Sequence, residues 1–197
     1  MIQVRNLSKS FLDKVVFSNV SLDLPNTGLF LLCGPNGCGK STLIYILAGL
    51  DTDFIGQVII NGQDIKALDD KSRIKLRKEN VGLLFSHGNL FSFLNVEDNV
   101  ELDGKGNRNT IKKELWEKKP YVLSGGEEAM VSLINEFHKK KNIYLIDELT
   151  SALNDDNVQR VMKLILEQSK DSLILMATHD KRIMGMGEKI IIGDINK

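Results

Sequence analysis

Cysteine is almost missing from this chain. The two present, Cys33 and Cys38, are too few for a disulfide framework or a thiolate metal centre, and read as a core residue and a loop residue. Net charge is missing too: 26 Lys and Arg balance 26 Asp and Glu, which withdraws the electrostatic case for nucleic acid as the main partner. No apolar run approaches the roughly 18 residues of a membrane span, and the opening Met-Ile-Gln-Val-Arg has no secretory apolar region. The chain is therefore expected in the cytosol. Neither an internal repeat nor a low-complexity tract interrupts it. What it does have is 197 residues that are 42% hydrophobic, enough for one cored domain, or one with a small subdomain.

The chemistry begins at Gly34-Pro35-Asn36-Gly37-Cys38-Gly39-Lys40-Ser41-Thr42, which fits G-x-x-x-x-G-K-[ST]. The apolar run Leu29-Phe30-Leu31-Leu32-Cys33 before it reads as a buried strand, and residues 42–48 after it read as a helix closed by Gly49. Strand, glycine loop and helix together make a phosphate cradle. Gly34, Gly37 and Gly39 let successive N–H groups turn toward one anion. The helix N-terminus adds partial positive charge, Lys40 reaches the β- and γ-phosphates, and the Ser41 hydroxyl can ligate Mg²⁺. Such a pattern arises by accident in a chain this long with odds on the order of one per cent. The loop predicts nucleoside triphosphate binding.

Residues 2–7 alternate apolar and polar, a half-buried strand, and 8–14 read as a polar turn containing Phe11 and Leu12. A second strand region covers 15–24, ended by Pro25-Asn26-Thr27-Gly28. Beyond the loop, the spacing predicts a strand over 56–62, a basic helix over 71–78 and a strand over 81–85. The texture changes from 86 to 122. Leu90, Phe91, Phe93, Leu94 and Val96 cluster in a loop or short helix, 103–108 is polar, and 110–118 predicts a helix with one apolar face, stopped by Pro120. There follow a helix over 127–141, a strand over 143–146, a helix over 155–170, a strand over 173–177, a short helix over 180–184 and a last strand over 189–192. This alternation predicts a mostly parallel sheet covered on both faces, with a small antiparallel sheet from the strand-rich N-terminal part.

Ile143-Tyr144-Leu145-Ile146-Asp147-Glu148 is an apolar strand ending in two acids, and in a parallel sheet active groups gather at the carboxyl ends of strands. Asp147 is then placed to hold Mg²⁺ through a water, and Glu148 to orient and polarise an attacking water. Leu123-Ser124-Gly125-Gly126-Glu127 opens a helix and forms a second anion-binding site. One nucleotide has one triphosphate tail, so this site serves the nucleotide of another copy, or it is a polar cap with no ligand.

The order of these motifs resembles the nucleotide-binding domain of ATP-binding cassette (ABC) proteins along nearly the whole chain. By that resemblance 34–41 is the phosphate loop and 123–127 the signature, usually Leu-Ser-Gly-Gly-Gln. Asp147 and Glu148 are the magnesium and catalytic acids, Ser151-Ala152-Leu153 the dimer-contact loop, His179 the switch histidine near the γ-phosphate, and Phe11 the ring against adenine. The implied fold is α/β: a P-loop NTPase core with a mostly parallel sheet, an N-terminal antiparallel β subdomain and a shortened helical subdomain at about 87–135, all in one domain over 1–197. The resemblance implies ATP and Mg²⁺ as ligands and head-to-tail pairing, with each Ser124-Gly125-Gly126 closing over ATP on the opposite loop.

The chain also departs from that family. Ser86, followed by His87, stands where a glutamine usually helps hold Mg²⁺ and water, so a water must intervene or His87 must help. Asn154 replaces an aspartate, Leu149 a proline and Met130 an arginine. The expectation is an ATPase subunit that pairs with itself or a related cassette and energises transport through a separate integral membrane subunit. It would sit peripherally on the cytoplasmic face. The short segment between Ser86 and Ser124 resembles exporters of small peptides or bacteriocins. The alternatives are a soluble ABC-type ATPase in a non-transport assembly, and a non-catalytic ATP-binding regulator.

Overall fold

The computed structural model describes residues 1–12, 14–87, 89–102 and 111–192. Its strands and helices run β1 (Ile2–Phe11), β2 (Lys14–Leu24), β3 (Gly28–Cys33), α1 (Lys40–Leu47), β4 (Ile55–Ile60), β5 (Gln63–Asp64), α2 (Asp70–Asn80), β6 (Val81–Leu84), α3 (Val96–Glu101), α4 (Gly125–His138), β7 (Ile143–Asp147), α5 (Asp155–Gln168), β8 (Leu173–Thr178) and β9 (Glu188–Ile191).

Two sheets form. One is antiparallel, in the order β2-β1-β4-β5; the other has the order β6-β7-β8-β3-β9, and all its pairings are parallel. The composition of the strands explains the division. Every residue of β7 and β8 is buried, as parallel strands must be when helices cover both faces. In β1 burial alternates, the mark of a sheet packed on one side. Helix α1 and the antiparallel sheet share one core with one face of the parallel sheet, through Ile2, Val4, Ile44, Leu47, Leu145 and Leu175. Helices α4 and α5 cover the other face through Ala129, Leu133, Val161 and Ile165. A third cluster joins Leu90, Val96, Val100, Ile111 and Leu115 to Val131 and Ile134 of α4.

Several boundaries differ from the sequence expectations. The polar turn expected over 8–14 is instead strand as far as Phe11. Lys9 keeps the inward register of β1 because its ammonium is buried against Asp51, at 3.0 Å, and Asp53, at 3.4 Å. The helix expected over 110–118 is a single 3-10 turn, Lys113–Leu115; Thr110 lies outside the described residues, as does the polar stretch 103–108. Here the backbone is used otherwise: the Lys118 and Trp116 carbonyls accept from the Val96 and Glu97 N–H groups at the start of α3. The short helix expected over 180–184 is likewise one 3-10 turn, Lys181–Ile183. Helix α4 begins two residues before the expected start, because Ser124 caps it.

What the fold does for a site is set by register. Strands β7, β8 and β3 are neighbours, with Cys33 opposite Thr178 and Asp147 opposite Ala177. The glycine loop after β3, the acids ending β7 and His179 after β8 therefore leave the sheet at one level and on one edge.

Candidate active site

The loop between β3 and α1 is shaped by its glycines. Gly39 caps α1 at φ 98°, and a Cβ there would lie 2.5 Å from Val16 Cγ1 and 2.8 Å from Phe17 Cδ1, so both backbone angle and space demand glycine. Lys40 is nearly buried, and its ammonium donates to the carbonyls of Gly34 at 3.0 Å and Pro35 at 3.2 Å. It also stands 3.7 Å from Glu148 Oε1.

The two acids point differently, as their adjacent positions require. Asp147 Oδ1 accepts from Ser41 Oγ–H at 3.1 Å. Burial raises the Asp147 carboxyl above its usual range; the Ser41 bond opposes that, Glu148 adds to it and Lys40 opposes it. Glu148 holds φ at +54°, an uncommon angle for a residue with a side chain, and its N–H donates to Ala177 O at 3.0 Å. That turn carries its carboxylate to His179, whose Nδ1 is 2.9 Å from Oε1. Oε2 is 2.8 Å from the same nitrogen but misaligned for a bond, which leaves it buried without a donor. A carboxylate held against a histidine is suited to accepting a proton from a water brought beside it.

Among the described residues no group of three or more His, Cys, Asp or Glu is placed to hold a metal by itself. The Ser41–Asp147 oxygen pair fits a hard ion of the Mg²⁺ kind. Such an ion takes one or two protein oxygens and completes its shell with phosphate and water.

Ser86 is exposed and faces a small cavity that Glu148, Gly125, Leu149 and Leu153 also line. Its loop is braced by Asn89, which accepts from Phe85 N–H at 2.8 Å and donates to Phe85 O at 2.6 Å. Phe11 ends β1 with 52% of its surface exposed. The β1–β2 register sets Phe11 opposite Lys14 and Lys9 opposite Phe17, the residue that a Cβ on Gly39 would meet at 2.8 Å. The Lys9 ammonium lies 4.5 Å from the Phe11 ring centroid, a geometry that orients the ring.

Ser124, Gly125 and Gly126 lie at the start of α4, with Gly125 on the wall of the cavity that Ser86 and Glu148 line. The Ser124 N–H and Oγ–H both donate to Glu127 Oε2, at 2.8 and 2.9 Å, and Ser124 Oγ accepts from Glu127 N–H at 3.3 Å. This capping box holds the Glu127 carboxyl below its ordinary range, first through the Ser124 N–H and then through its hydroxyl. Ser124 and Gly125 are exposed while Gly126 is buried. A Cβ on Gly126 would lie 2.0 Å from Asn157 Nδ2 and 2.3 Å from Cγ, which keys this helix start to α5. We predict that Gly126→Ala lowers the melting midpoint by about 2–4 °C, as a loss of roughly 1 kcal/mol does for a chain this long. Alanine should otherwise favour the helix by up to about 1 kcal/mol. If Asn157→Ala does not restore the midpoint in the double variant, this contact is not the cause.

The cluster thus joins Lys40, Ser41, Asp147, Glu148 and His179, expected from sequence, with Ser86 at its margin on the cavity that Glu148 lines; Phe11 stands instead beside the Lys9 ammonium. Ser124-Gly125-Gly126 borders the cluster through Gly125, which lines the same cavity as Glu148 and Ser86. Arg182, Asp180, Asn157 and Lys9 were not singled out by sequence, because nothing local distinguishes them from surface polar residues.

The chain is similar to known proteins throughout. The family pattern described as ABC transporter matches residues 17–151. An ABC transporter ATP-binding protein of Mycoplasma pneumoniae, the MG065 homolog, is 30% identical over 97% of this chain and 45% of its own length. The sulfate/thiosulfate import ATP-binding protein CysA of Pseudomonas syringae pv. tomato is 30% identical over 97% of this chain and 64% of its own. The chain therefore spans about half to two thirds of the length of these relatives. The ATP-binding cassette MJ0796 of Methanocaldococcus jannaschii, in a dimeric post-hydrolysis state bound to ADP and Pi, superposes with a TM-score of 0.83 at 26% identity, over 97% of this chain and 94% of that one.

Proposed function

The chain belongs to the ABC transporter family and has the P-loop fold of its ATPases, and on that premise we propose that it binds and hydrolyses ATP to energise transport through a separate integral membrane subunit. The observation that carries this reading is the convergence of Lys40, Ser41, Asp147, Glu148 and His179 on one edge of three adjacent parallel strands. Residues 34–42 hold the phosphates, with Lys40 leaving the Gly34 and Pro35 carbonyls for the β- and γ-oxygens. Phe11 stacks on adenine. Ser41 and Asp147 would hold Mg²⁺ when it is bound, and Ser86 would be too short to ligate it directly. Bound Mg²⁺ neutralises charge on the phosphate tail. The Glu148 carboxylate, held by His179, takes a proton from water as the water oxygen bonds to the γ-phosphorus. The bridging P–O bond breaks, and its electron pair stays on ADP.

Two copies pair head to tail, each Ser124-Gly125-Gly126 covering ATP on the partner. Support comes from the dimeric relative and from the exposed placement of Ser124, whose side chain, among the described residues, is bonded within its own helix turn. Contacts to one γ-phosphate from two copies exist only in the closed pair, and reversing a 1:99 population takes about 5.5 kcal/mol of differential binding. We read residues 1–197 as one ATPase domain with a helical subdomain at about 87–135. No helix among the described residues is long and apolar enough to cross a membrane. Phe91, Phe93, Tyr121 and Val122 are exposed, and Lys119 Nζ donates to Phe93 O at 2.7 Å, tying their two segments together. An exposed apolar surface of this kind suits a protein partner, here the membrane subunit that would hold the chain at the cytoplasmic face. The short segment between Ser86 and Ser124 favours export, of a peptide or bacteriocin.

The test is retention by native membranes. The chain should co-purify with an integral protein after detergent extraction, and Phe93→Asp should release it while leaving ATP turnover in solution intact. A chain that membranes never retain is not a transport subunit.

A further inference from the structure

Arg182 sits just beyond the switch histidine, and its guanidinium is fully used. Nε donates to Asp180 Oδ1 at 2.9 Å. Nη1 donates to Leu153 O at 2.8 Å and Asp155 Oδ1 at 2.7 Å, and Nη2 to Thr150 O at 3.1 Å and Asp180 Oδ2 at 2.8 Å. A guanidinium has five N–H hydrogens, so each has an acceptor.

Both sides of this fork lead to Glu148. On one side is Asp180, 7% exposed, whose N–H donates to Thr178 Oγ1 at 3.0 Å. His179 is thereby pinned between two anchored residues, and its ring reaches Glu148 Oε1. On the other side are the carbonyls of Thr150 and Leu153, which bracket the exposed Ser151 and Ala152. The Ser151 hydroxyl donates to the Glu148 carbonyl at 3.0 Å. Glu148 lies between the two routes at a backbone angle of φ +54°, which persists only where its surroundings hold it.

We propose that Arg182 is a positioning residue for hydrolysis: its guanidinium clamps loop 150–153 to Asp180, so that the side chain and backbone of Glu148 are fixed together with the surface offered to a second copy. This rests on the reading of Glu148 as the base. Lysine cannot replace arginine here, because three donors on a flexible stem cannot span acceptors on both sides of the fork.

The test compares Arg182→Lys and Arg182→Gln with the unaltered full chain, well below their melting midpoints. Turnover at saturating ATP should fall about tenfold or more, the usual scale for a base displaced by a fraction of an ångström. KM and the ATP dissociation constant should stay within about twofold, since the phosphate loop is untouched. A charge-only role is overturning: it would let Arg182→Lys recover full turnover. Loss of ATP binding in step with turnover, or a lowered melting midpoint with normal turnover, would reduce Arg182 to a structural role and also overturn the proposal. ATP-driven pairing is measured separately in a Glu148→Gln chain with Arg182 intact. If that chain never pairs, the two-copy reading fails, while the turnover comparison still decides Arg182.

Discussion

Glu148→Gln is expected to bind ATP with nearly unaltered affinity and to lose turnover by about 10²–10⁴-fold, the usual contribution of a general base. Glutamine keeps the length of the side chain and an oxygen that accepts from His179, now 2.9 Å from Oε1, so the site should hold its shape. What disappears is the ability to take a proton from water. The substitution also removes the carboxylate whose Oε2 is buried without a donor, and with it the negative charge 3.7 Å from Lys40. Phosphate release measured over a single turnover, alongside equilibrium ATP binding, separates the two effects. Because hydrolysis would no longer reopen the pair, the variant should accumulate as an ATP-dependent dimer by light scattering. Turnover within tenfold of the unaltered chain would remove Glu148 as the base. An unaltered chain with no turnover would favour the regulator over the ATPase.

Lys40→Met should weaken ATP binding by about 10- to 150-fold, since one hydrogen bond to a charged group contributes about 1.5–3 kcal/mol. Methionine fills much of the same buried volume, so α1 should stay folded. The loss has two parts. The phosphates lose a cation, and the Gly34 and Pro35 carbonyls, which now accept from Nζ at 3.0 and 3.2 Å, lose the donor that prearranges the loop. Titration calorimetry reads the affinity, and a melting curve without nucleotide checks the fold. Unchanged affinity would mean that Lys40 stays on its own carbonyls when ATP binds.

Much of this site was legible beforehand because its parts are local. A glycine loop, a lysine and a hydroxyl within nine residues, or two acids after an apolar strand, declare their chemistry through residue type and spacing. Elements that depend on distant partners were not legible. Lys9 looks like a turn residue until Asp51 and Asp53 surround it. The segment 111–118 has helical spacing, yet its carbonyls serve the start of α3.

By itself, the sequence determined the glycine loop with its lysine and serine, the acid pair after an apolar strand and the alternation that makes a parallel sheet. Backbone permissiveness, side-chain chemistry and hydrophobic period are properties of short stretches, and they needed no partner to be read. Tertiary structure alone decided the register that sets Cys33 against Thr178 and Asp147 against Ala177. Strands buried on both faces carry no period of two to mark such a register. It also decided the Arg182 clamp and the seat of Gly126 on Asn157, which join residues far apart in the chain through contacts that only packing creates.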